Sequence, residues 1–261
     1  MKSKFLALEP LGARIEVVEA GKGRDLLFLH GAGGHLVDDP LLAALASKYR
    51  VVAPLLPGYG QSGGEDGLRD MLDVTLHCLD VLEKLELEKP VVVGHSMGGM
   101  IAAEMAAIAH TEITDLCLIA PAGLWLDDHP VVDIFSKLPY ELPGLLFHDA
   151  EAGGKLLTAG RGNMEDPEFL KQFLVMNARR MGMAGKLLFP IPDRGLGGRL
   201  HRITAKTLIV WGGEDALIPP VYGDAFNKSI SKSKLVRIAM AGHAVGQEMP
   251  GAVLDAISDF F

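Results

Sequence analysis

A serine between two glycines points most directly to chemistry in this sequence. Ser96 stands at the centre of residues 94–98, after the β-branched run 91–93 and before a stretch rich in helix-forming residues. On a sharp strand-to-helix turn, such a serine is a nucleophile whose hydroxyl stands clear of the sheet. Glycines at 94 and 98 fit this turn, because side chains there would collide with the crossing strand and helix. An ordinary tight turn is the alternative interpretation.

A serine hydroxyl needs a nearby base, and the base needs a third group that orients it. His243 follows the predicted strand 235–239, and Asp215 follows the predicted strand 208–211. Both positions lie at the strand ends of the edge where Ser96 is expected. We therefore predict that Ser96, His243 and Asp215 form a catalytic triad. The amide of Met97, directly after the nucleophile, is predicted to bind the oxyanion.

Other acidic residues compete for the role of the acid. Glu214 is adjacent to Asp215, but adjacent side chains point apart, so only one of the two meets the histidine. Asp127 and Asp128 remain an alternative acid, although we interpret them as surface charges. Glu248 is interpreted as a carboxylate at the start of a helix.

Nine histidines occur, and only one has the context of a base. His30 is expected to brace the glycine-rich loop that follows it through hydrogen bonds. His95 is expected to shape the turn around the serine. The remaining histidines are interpreted as surface or core residues: His35, His77, His110, His129, His148 and His201.

Residues 31–36 resemble a dinucleotide-binding loop, but Leu36 replaces the third glycine of that pattern. We therefore predict no nicotinamide cofactor, and no cofactor of any kind is required for the predicted chemistry. The sequence also lacks clusters of His, Cys, Asp or Glu with the spacing of metal ligands, which predicts no metal site.

The elements that position these residues follow from hydrophobic patterning. Continuously apolar runs separated by helical periodicity predict a mostly parallel sheet covered by helices on both faces, an α/β fold. Residues 13–19 alternate apolar and polar side chains, which predicts a half-exposed edge strand. Helices are predicted near residues 41–48, 68–87, 97–110, 220–230 and 252–261.

No run of residues between 122 and 202 has the apolar pattern of a strand. An insertion of this length is expected to form a helical cap rather than a loop, with a helix at 169–176 that begins at Asp166 and Pro167. The predicted domains are a core of residues 1–121 and 203–261 and a cap of residues 122–202. The cap is expected to cover the strand ends, where α/β folds bind ligands.

Composition narrows the function classes. The chain has 261 residues, enough for one domain with a full core, and a net charge of −8, which argues against a nucleic-acid partner. Its two cysteines, Cys78 and Cys117, lie in apolar segments and indicate a reducing compartment. No apolar run reaches the length of a membrane span or signal peptide, so a cytoplasmic protein is expected.

The chain resembles the α/β-hydrolase superfamily over essentially its whole length, through several sequence motifs. Residues 30–34 match the family's HGxG-type loop, and residues 56–62 are similar to its D-x-P-G-x-G-x-S loop, although Leu55 stands where aspartate is common. Residues 94–98, 213–215 and 242–243 match the remaining blocks, in the chain order serine, acid, histidine. The resemblance implies a capped serine hydrolase with the cap inserted after the sixth core strand, and Ala32 as second oxyanion donor.

The expected activity is hydrolysis of esters or related carbonyl compounds through an acyl-enzyme. The apolar composition of the cap predicts apolar or aromatic substrate groups, with Gly31, Gly33, His95 and Trp125 as candidate contacts. A small-molecule substrate is the expected partner, and the oligomeric state, including a homodimer, is left open.

Two other functions remain open. A carbon–carbon bond hydrolase of the meta-cleavage-product type shares these motifs, and Arg179 and Arg180 are candidates to bind its substrate carboxylate. A non-catalytic binding protein is the third alternative, since fold does not determine function.

Overall fold

A computed structural model describes residues 2–8, 12–158, 165–189, 191 and 194–261 of the protein. The strands are β1 Lys2–Leu8, β2 Ala13–Ala20, β3 Arg24–Leu29, β4 Tyr49–Pro54, β5 Val91–His95, β6 Asp115–Ile119, β7 Lys206–Gly212 and β8 Ser233–Ile238. The helices are α1 Pro40–Leu45, α2 Met71–Lys84, α3 Met97–Ile108, α4 Leu142–Leu146, α5 Ala150–Thr158, α6 Pro167–Leu188, α7 Val221–Ser229, α8 Val245–Glu248 and α9 Pro250–Phe260.

The strands of the described residues form one sheet in the order β1-β2-β4-β3-β5-β6-β7-β8. The pairs β1–β2 and β2–β4 are antiparallel, and every other neighbouring pair is parallel. One apolar cluster packs α2, α3 and α7 against one face of the sheet, and another packs α1 and α9 against the opposite face. The predicted α/β fold with a mostly parallel, doubly covered sheet is confirmed.

The prediction that residues 13–19 form an edge strand is wrong in one respect. β2 contains the alternating segment 13–19, but β1 pairs with its outer side and forms the edge of the sheet. Alternation indicates that one face of a strand is exposed, and this holds for interior strands of an antiparallel pair as well. β1 itself is mostly exposed, which explains its weak sequence signal.

Between β6 and β7 the described residues form α4, α5, α6 and short 3₁₀ turns, without a strand. The helix expected at 169–176 lies within α6, whose first turn is capped by the Asp166 carboxylate accepting from the Glu168 amide at 3.0 Å. α6 continues to Leu188 because its second half buries apolar side chains against the core. Residues 159–164, 190, 192 and 193 of the predicted cap lie outside the described residues.

None of the described helices combines the length and the hydropathy needed to cross a lipid bilayer.

Candidate active site

Ser96 occupies a one-residue turn between β5 and α3. Its backbone has φ +54° and ψ −117°, a conformation that residues other than glycine rarely adopt. Three backbone hydrogen bonds hold it there: the Ser96 amide donates to Ile119, and the Ser96 carbonyl accepts from Met100 and Ala122. Such strain persists only where the surrounding structure enforces it, and it is typical of functional sites.

Backbone crowding explains the glycines on either side of this turn. A Cβ at Gly94 would lie 2.3 Å from the carbonyl oxygen of Gly98. A Cβ at Gly98 would lie 2.1 Å from the carbonyl oxygen of Leu29, in β3. Both distances are shorter than a Cβ can tolerate, so the sharp turn requires glycine at both positions, as its pattern predicted.

The structure brings Ser96, His243 and Asp215 into one chain of hydrogen bonds. His243 Nε2 lies 2.8 Å from Ser96 Oγ, and His243 Nδ1 lies 2.8 Å from Asp215 Oδ2. A carboxylate only accepts, so Nδ1 carries the proton and the lone pair of Nε2 faces the serine. This tautomer can take a proton from the hydroxyl.

Asp215 is held independently of the histidine. Its second oxygen, Oδ1, accepts from the amides of Leu217 at 2.9 Å and Ile218 at 2.8 Å. Asp215 is 4% exposed and His243 is 2% exposed, so water competes little for their contact. The carboxylate thereby fixes the orientation of the imidazole.

The competing acids lie elsewhere. Glu214 is exposed and contacts His148, with 2.6 Å between Glu214 Oε2 and His148 Nδ1. Asp127 and Asp128 are exposed, and Asp127 accepts from the indole nitrogen of Trp125.

Glu248 is the acidic residue in the first turn of α8, which agrees with its interpretation as a helix-start carboxylate. Glu248 ends α8, and its carboxylate accepts from the amide of Gly242, next to His243. This contact joins residues six positions apart, across residues 243–244 and α8, so helix periodicity could not indicate it.

His30 holds the glycine-rich loop after β3, as expected. Its Nε2 accepts from the Leu56 amide at 3.1 Å, so the proton sits on Nδ1, which donates to the carbonyl of Gly31 at 2.8 Å. Burial, with a smaller effect of nearby His35, lowers the pKa of His30 to about 3. Because a peptide carbonyl and the following N–H point in opposite directions, this bond turns the Ala32 amide away from His30.

The two predicted oxyanion donors are the amides of Met97, which follows Ser96, and of Ala32, which follows Gly31. Within the described part of the chain, the amides of Ala32 and Met97 donate to no acceptor. Gly31 lies against the nucleophile, since a Cβ there would be 3.3 Å from the Cβ of Ser96. Gly33 is exposed, and its carbonyl accepts from Arg180.

His95 contacts the loop of the base. Its Nε2 donates to the carbonyl of His243 at 3.0 Å, and the two rings lie 5.2 Å apart. Burial, together with the neighbouring His243, lowers the pKa of His95 to about 4, so the ring is neutral near pH 7. His95 therefore connects the end of β5, directly before Ser96, to the loop that carries His243.

An apolar cavity begins at Ser96. Its volume is about 640 Å³, counted with its open mouth. Residues of the insertion that line it include Val131, Ile134, Phe135, Leu187 and Leu188. Among the described residues that line this cavity, the predicted contacts Gly31, Gly33, His95 and Trp125 are absent.

Sequence reasoning missed one cation in this cavity. Arg194 lines the cavity together with Ser96. Its Nη1 donates to the carbonyls of Lys186, Leu187 and Phe189 at the end of α6. No local sequence pattern marks this residue as part of a cavity.

The profile described as the alpha/beta hydrolase family matches residues 26–256. This span runs from β3 into α9 and includes Ser96, Asp215 and His243. The chain belongs to this family. The predicted resemblance, and the prediction that the chain is an enzyme of this fold, are confirmed.

Two relatives and one solved structure are similar to this α/β-hydrolase. The uncharacterized hydrolase YugF of Bacillus subtilis (strain 168) is 24% identical, over 84% of this chain and 83% of that protein. The 2-hydroxy-6-oxo-6-phenylhexa-2,4-dienoate hydrolase of Burkholderia cepacia is 26% identical, over 92% of this chain and 90% of that protein. The crystal structure of a membrane phospholipase A has a TM-score of 0.77 at 21% identity, covering 99% of this chain and 85% of that one.

Proposed function

We propose that this α/β-hydrolase is a serine hydrolase that cleaves esters or related carbonyl compounds with apolar or aromatic groups. The observation that carries the proposal is the chain of contacts from Asp215 through His243 to Ser96, at 2.8 Å each, opening into an apolar cavity. A base of the correct tautomer within hydrogen-bond reach of a hydroxyl is the arrangement that activates a serine nucleophile.

In the acylation step, Ser96 Oγ attacks the carbonyl carbon while His243 Nε2 takes the hydroxyl proton. Asp215 stabilises the imidazolium that forms. The carbonyl oxygen becomes an oxyanion, which the amides of Ala32 and Met97 stabilise by a few kcal/mol. The tetrahedral intermediate collapses when His243 gives its proton to the leaving alcohol. In the second step His243 activates a water molecule, which releases the acid and restores Ser96.

The residues between β6 and β7 act as a cap in this proposal. We propose that the core of the protein comprises residues 1–121 and 203–261 and that the cap comprises residues 122–202. Phe135 and Leu187 are apolar cavity residues from opposite ends of the insertion. An apolar acyl or aryl group bound there is removed from water, which favours its binding by roughly 25 cal/mol per Å² of buried apolar surface.

A panel of p-nitrophenyl esters tests this proposal. Acetate, hexanoate and benzoate esters are offered to the wild type and to Ser96→Ala. We expect higher kcat/KM for hexanoate and benzoate than for acetate, and loss of this activity in Ser96→Ala. Absence of ester hydrolysis by folded wild-type protein would overturn the ester proposal.

Arg194 favours a second candidate, a carbon–carbon bond hydrolase acting on a dienoate. Arg194 is among the residues that line this mostly apolar cavity, and a guanidinium is suited to bind a substrate carboxylate. Neither of the two arginines predicted for that role is among the described residues that line the cavity: Arg179 contacts Glu65 at 2.5 Å, and Arg180 contacts Asn177 at 2.7 Å and the Gly33 carbonyl at 3.4 Å.

A direct comparison of substrates decides between the candidates. Turnover of a 2-hydroxy-6-oxo-dienoate without ester hydrolysis would identify the second function. In that case Arg194→Gln should reduce kcat/KM for the dienoate by about 10-fold to 100-fold, the cost of one charge-assisted contact. A dienoate that is not cleaved would eliminate this candidate.

A further inference from the structure

One carboxylate ties the loop of His243 to the insertion. Glu248 Oε2 accepts from the amide of Gly242 at 2.6 Å. Its other oxygen, Oε1, accepts from the amides of His148 at 2.8 Å and Asp149 at 3.2 Å. We call residues 147–149, which join α4 to α5, the α4–α5 turn. Glu248 thus links the backbone beside His243 to this turn.

The two segments touch through their backbones as well. The Ala244 amide donates to the Leu146 carbonyl at 2.7 Å. A Cβ at Gly242 would lie 2.8 Å from the carbonyl oxygen of Leu146 and 2.9 Å from the carbonyl carbon of Phe147. Glycine directly before His243 is therefore required by this close approach, and the contact leaves little freedom for the loop.

A second link reaches the loop of the acid. His148, in the α4–α5 turn, contacts Glu214, the residue before Asp215. Glu214 is tied in turn to the loop of the base, because its amide donates to the carbonyl of Ala241 at 2.9 Å. The same turn therefore contacts both loops that carry the base and the acid.

We infer that Glu248 is a positioning residue for His243: by holding the Gly242 amide against the α4–α5 turn, it keeps the imidazole between Ser96 and Asp215. Hydrogen bonds from amides to a carboxylate are stronger than neutral ones, and here one side chain receives three. Displacing a reacting group by about 1 Å can cost about 100-fold in rate. The inference rests on the proposed serine hydrolase function.

The variant Glu248→Gln tests this role. It preserves side-chain size, but its single amide oxygen can replace only one of the two carboxylate oxygens, so its NH₂ group faces an N–H donor. We expect kcat for p-nitrophenyl hexanoate to fall about 10-fold with KM within about 2-fold, because the base is misplaced while the cavity is intact. The rate of Ser96 labelling by a fluorophosphonate should fall by a similar factor. Glu151→Gln, at a side chain 82% exposed in α5, is the matched control and should leave both rates unchanged.

Glu248→Asp keeps the charge and shortens the reach by one methylene, so it serves if Glu248→Gln folds poorly. We expect Glu248→Asp to lower kcat about 3-fold at unchanged KM. Wild-type kcat and labelling rate in either variant, shown to be folded by circular dichroism, would overturn the role of Glu248. A wild-type protein whose Ser96 is not labelled would instead overturn the proposed function.

Discussion

The imidazole of His30 and the carbonyl of Gly31 are joined by a hydrogen bond of 2.8 Å between Nδ1 and the oxygen. The other ring nitrogen accepts from the Leu56 amide. Only the neutral ring can donate on one side and accept on the other, so protonation would place two N–H groups face to face at Leu56. The geometry of the loop that carries Ala32 therefore depends on an uncharged His30.

We expect the free energy of unfolding to decrease as pH falls below about 6.5. Burial lowers the pKa of His30 to about 3 and those of His35 and His95 to about 4, from an ordinary value of 6.5. As pH falls, the unfolded chain therefore binds protons before the folded protein does. The contribution of these neutral histidines to the free energy of unfolding is complete above pH 6.5. It decreases towards the folded-state pKa by about 1.4 kcal/mol per pH unit for each group. Urea unfolding at pH 7.5 and pH 5.0 measures this change.

The variant His30→Asn isolates one of these groups. Its loss of stability between pH 7.5 and pH 5.0 should be about 2 kcal/mol smaller than that of the wild type, because one proton-binding difference is removed. An equal loss in both proteins would show that His30 does not contribute to the pH dependence.

Backbone strain at Ser96 predicts an ordering of two inactive variants. Ser96→Gly should be more stable than Ser96→Ala by about 1 kcal/mol, since glycine adopts a φ of +54° without steric cost. Thermal unfolding of both variants measures the difference. A Ser96→Ala protein as stable as Ser96→Gly would mean that the turn is not strained.

Two glycines of helices should respond in opposite directions to alanine. Gly98→Ala should destabilise the protein by more than about 2 kcal/mol, because its Cβ would overlap the carbonyl of Leu29. Gly182→Ala, in α6, should stabilise it by about 0.5–1 kcal/mol, since nothing lies within 4 Å of the added Cβ and alanine favours the helix. Urea unfolding reports both values, and a neutral Gly98→Ala would refute the close packing of the turn.

Filling the cavity should change substrate preference. Val131 lines the cavity and is half-buried, so Val131→Trp should lower kcat/KM for p-nitrophenyl hexanoate by about 10-fold while sparing the acetate ester. Leu174→Trp is the control, because Leu174 is 55% exposed on α6 and does not line the cavity. An equal effect on both esters would place the acyl group elsewhere.

Local hydrophobic patterns were sufficient to predict the strands that precede the three triad residues. The apolar runs of β5 and β7 stand out because both of their faces are covered, whereas β8 forms an edge of the sheet and is half-buried. The residue after a parallel strand must lie at the edge of the sheet where ligands bind. Ser96, Asp215 and His243 could therefore be predicted to meet. Gly94 and Gly98 allowed the sharp turn at Ser96 to be predicted, because this turn depends on close backbone contacts that only glycine permits.

Contacts between distant segments could not be predicted. Glu248 meets His148 across about one hundred residues, and Arg194 reaches the cavity only because α6 extends to Leu188. Trp125 was predicted to touch substrate because of its ring, yet its indole nitrogen binds Asp127 at the surface. Such positions depend on how the insertion packs, and a single sequence carries no pattern for that packing.

The nucleophilic role of Ser96 is tested most directly by intact-protein mass spectrometry after treatment with a fluorophosphonate. We expect a single adduct on the wild type, located at Ser96 by peptide mapping, and none on folded Ser96→Ala. A folded wild type that gains no adduct, or a Ser96→Ala protein labelled at the same rate, would show that Ser96 is not the nucleophile.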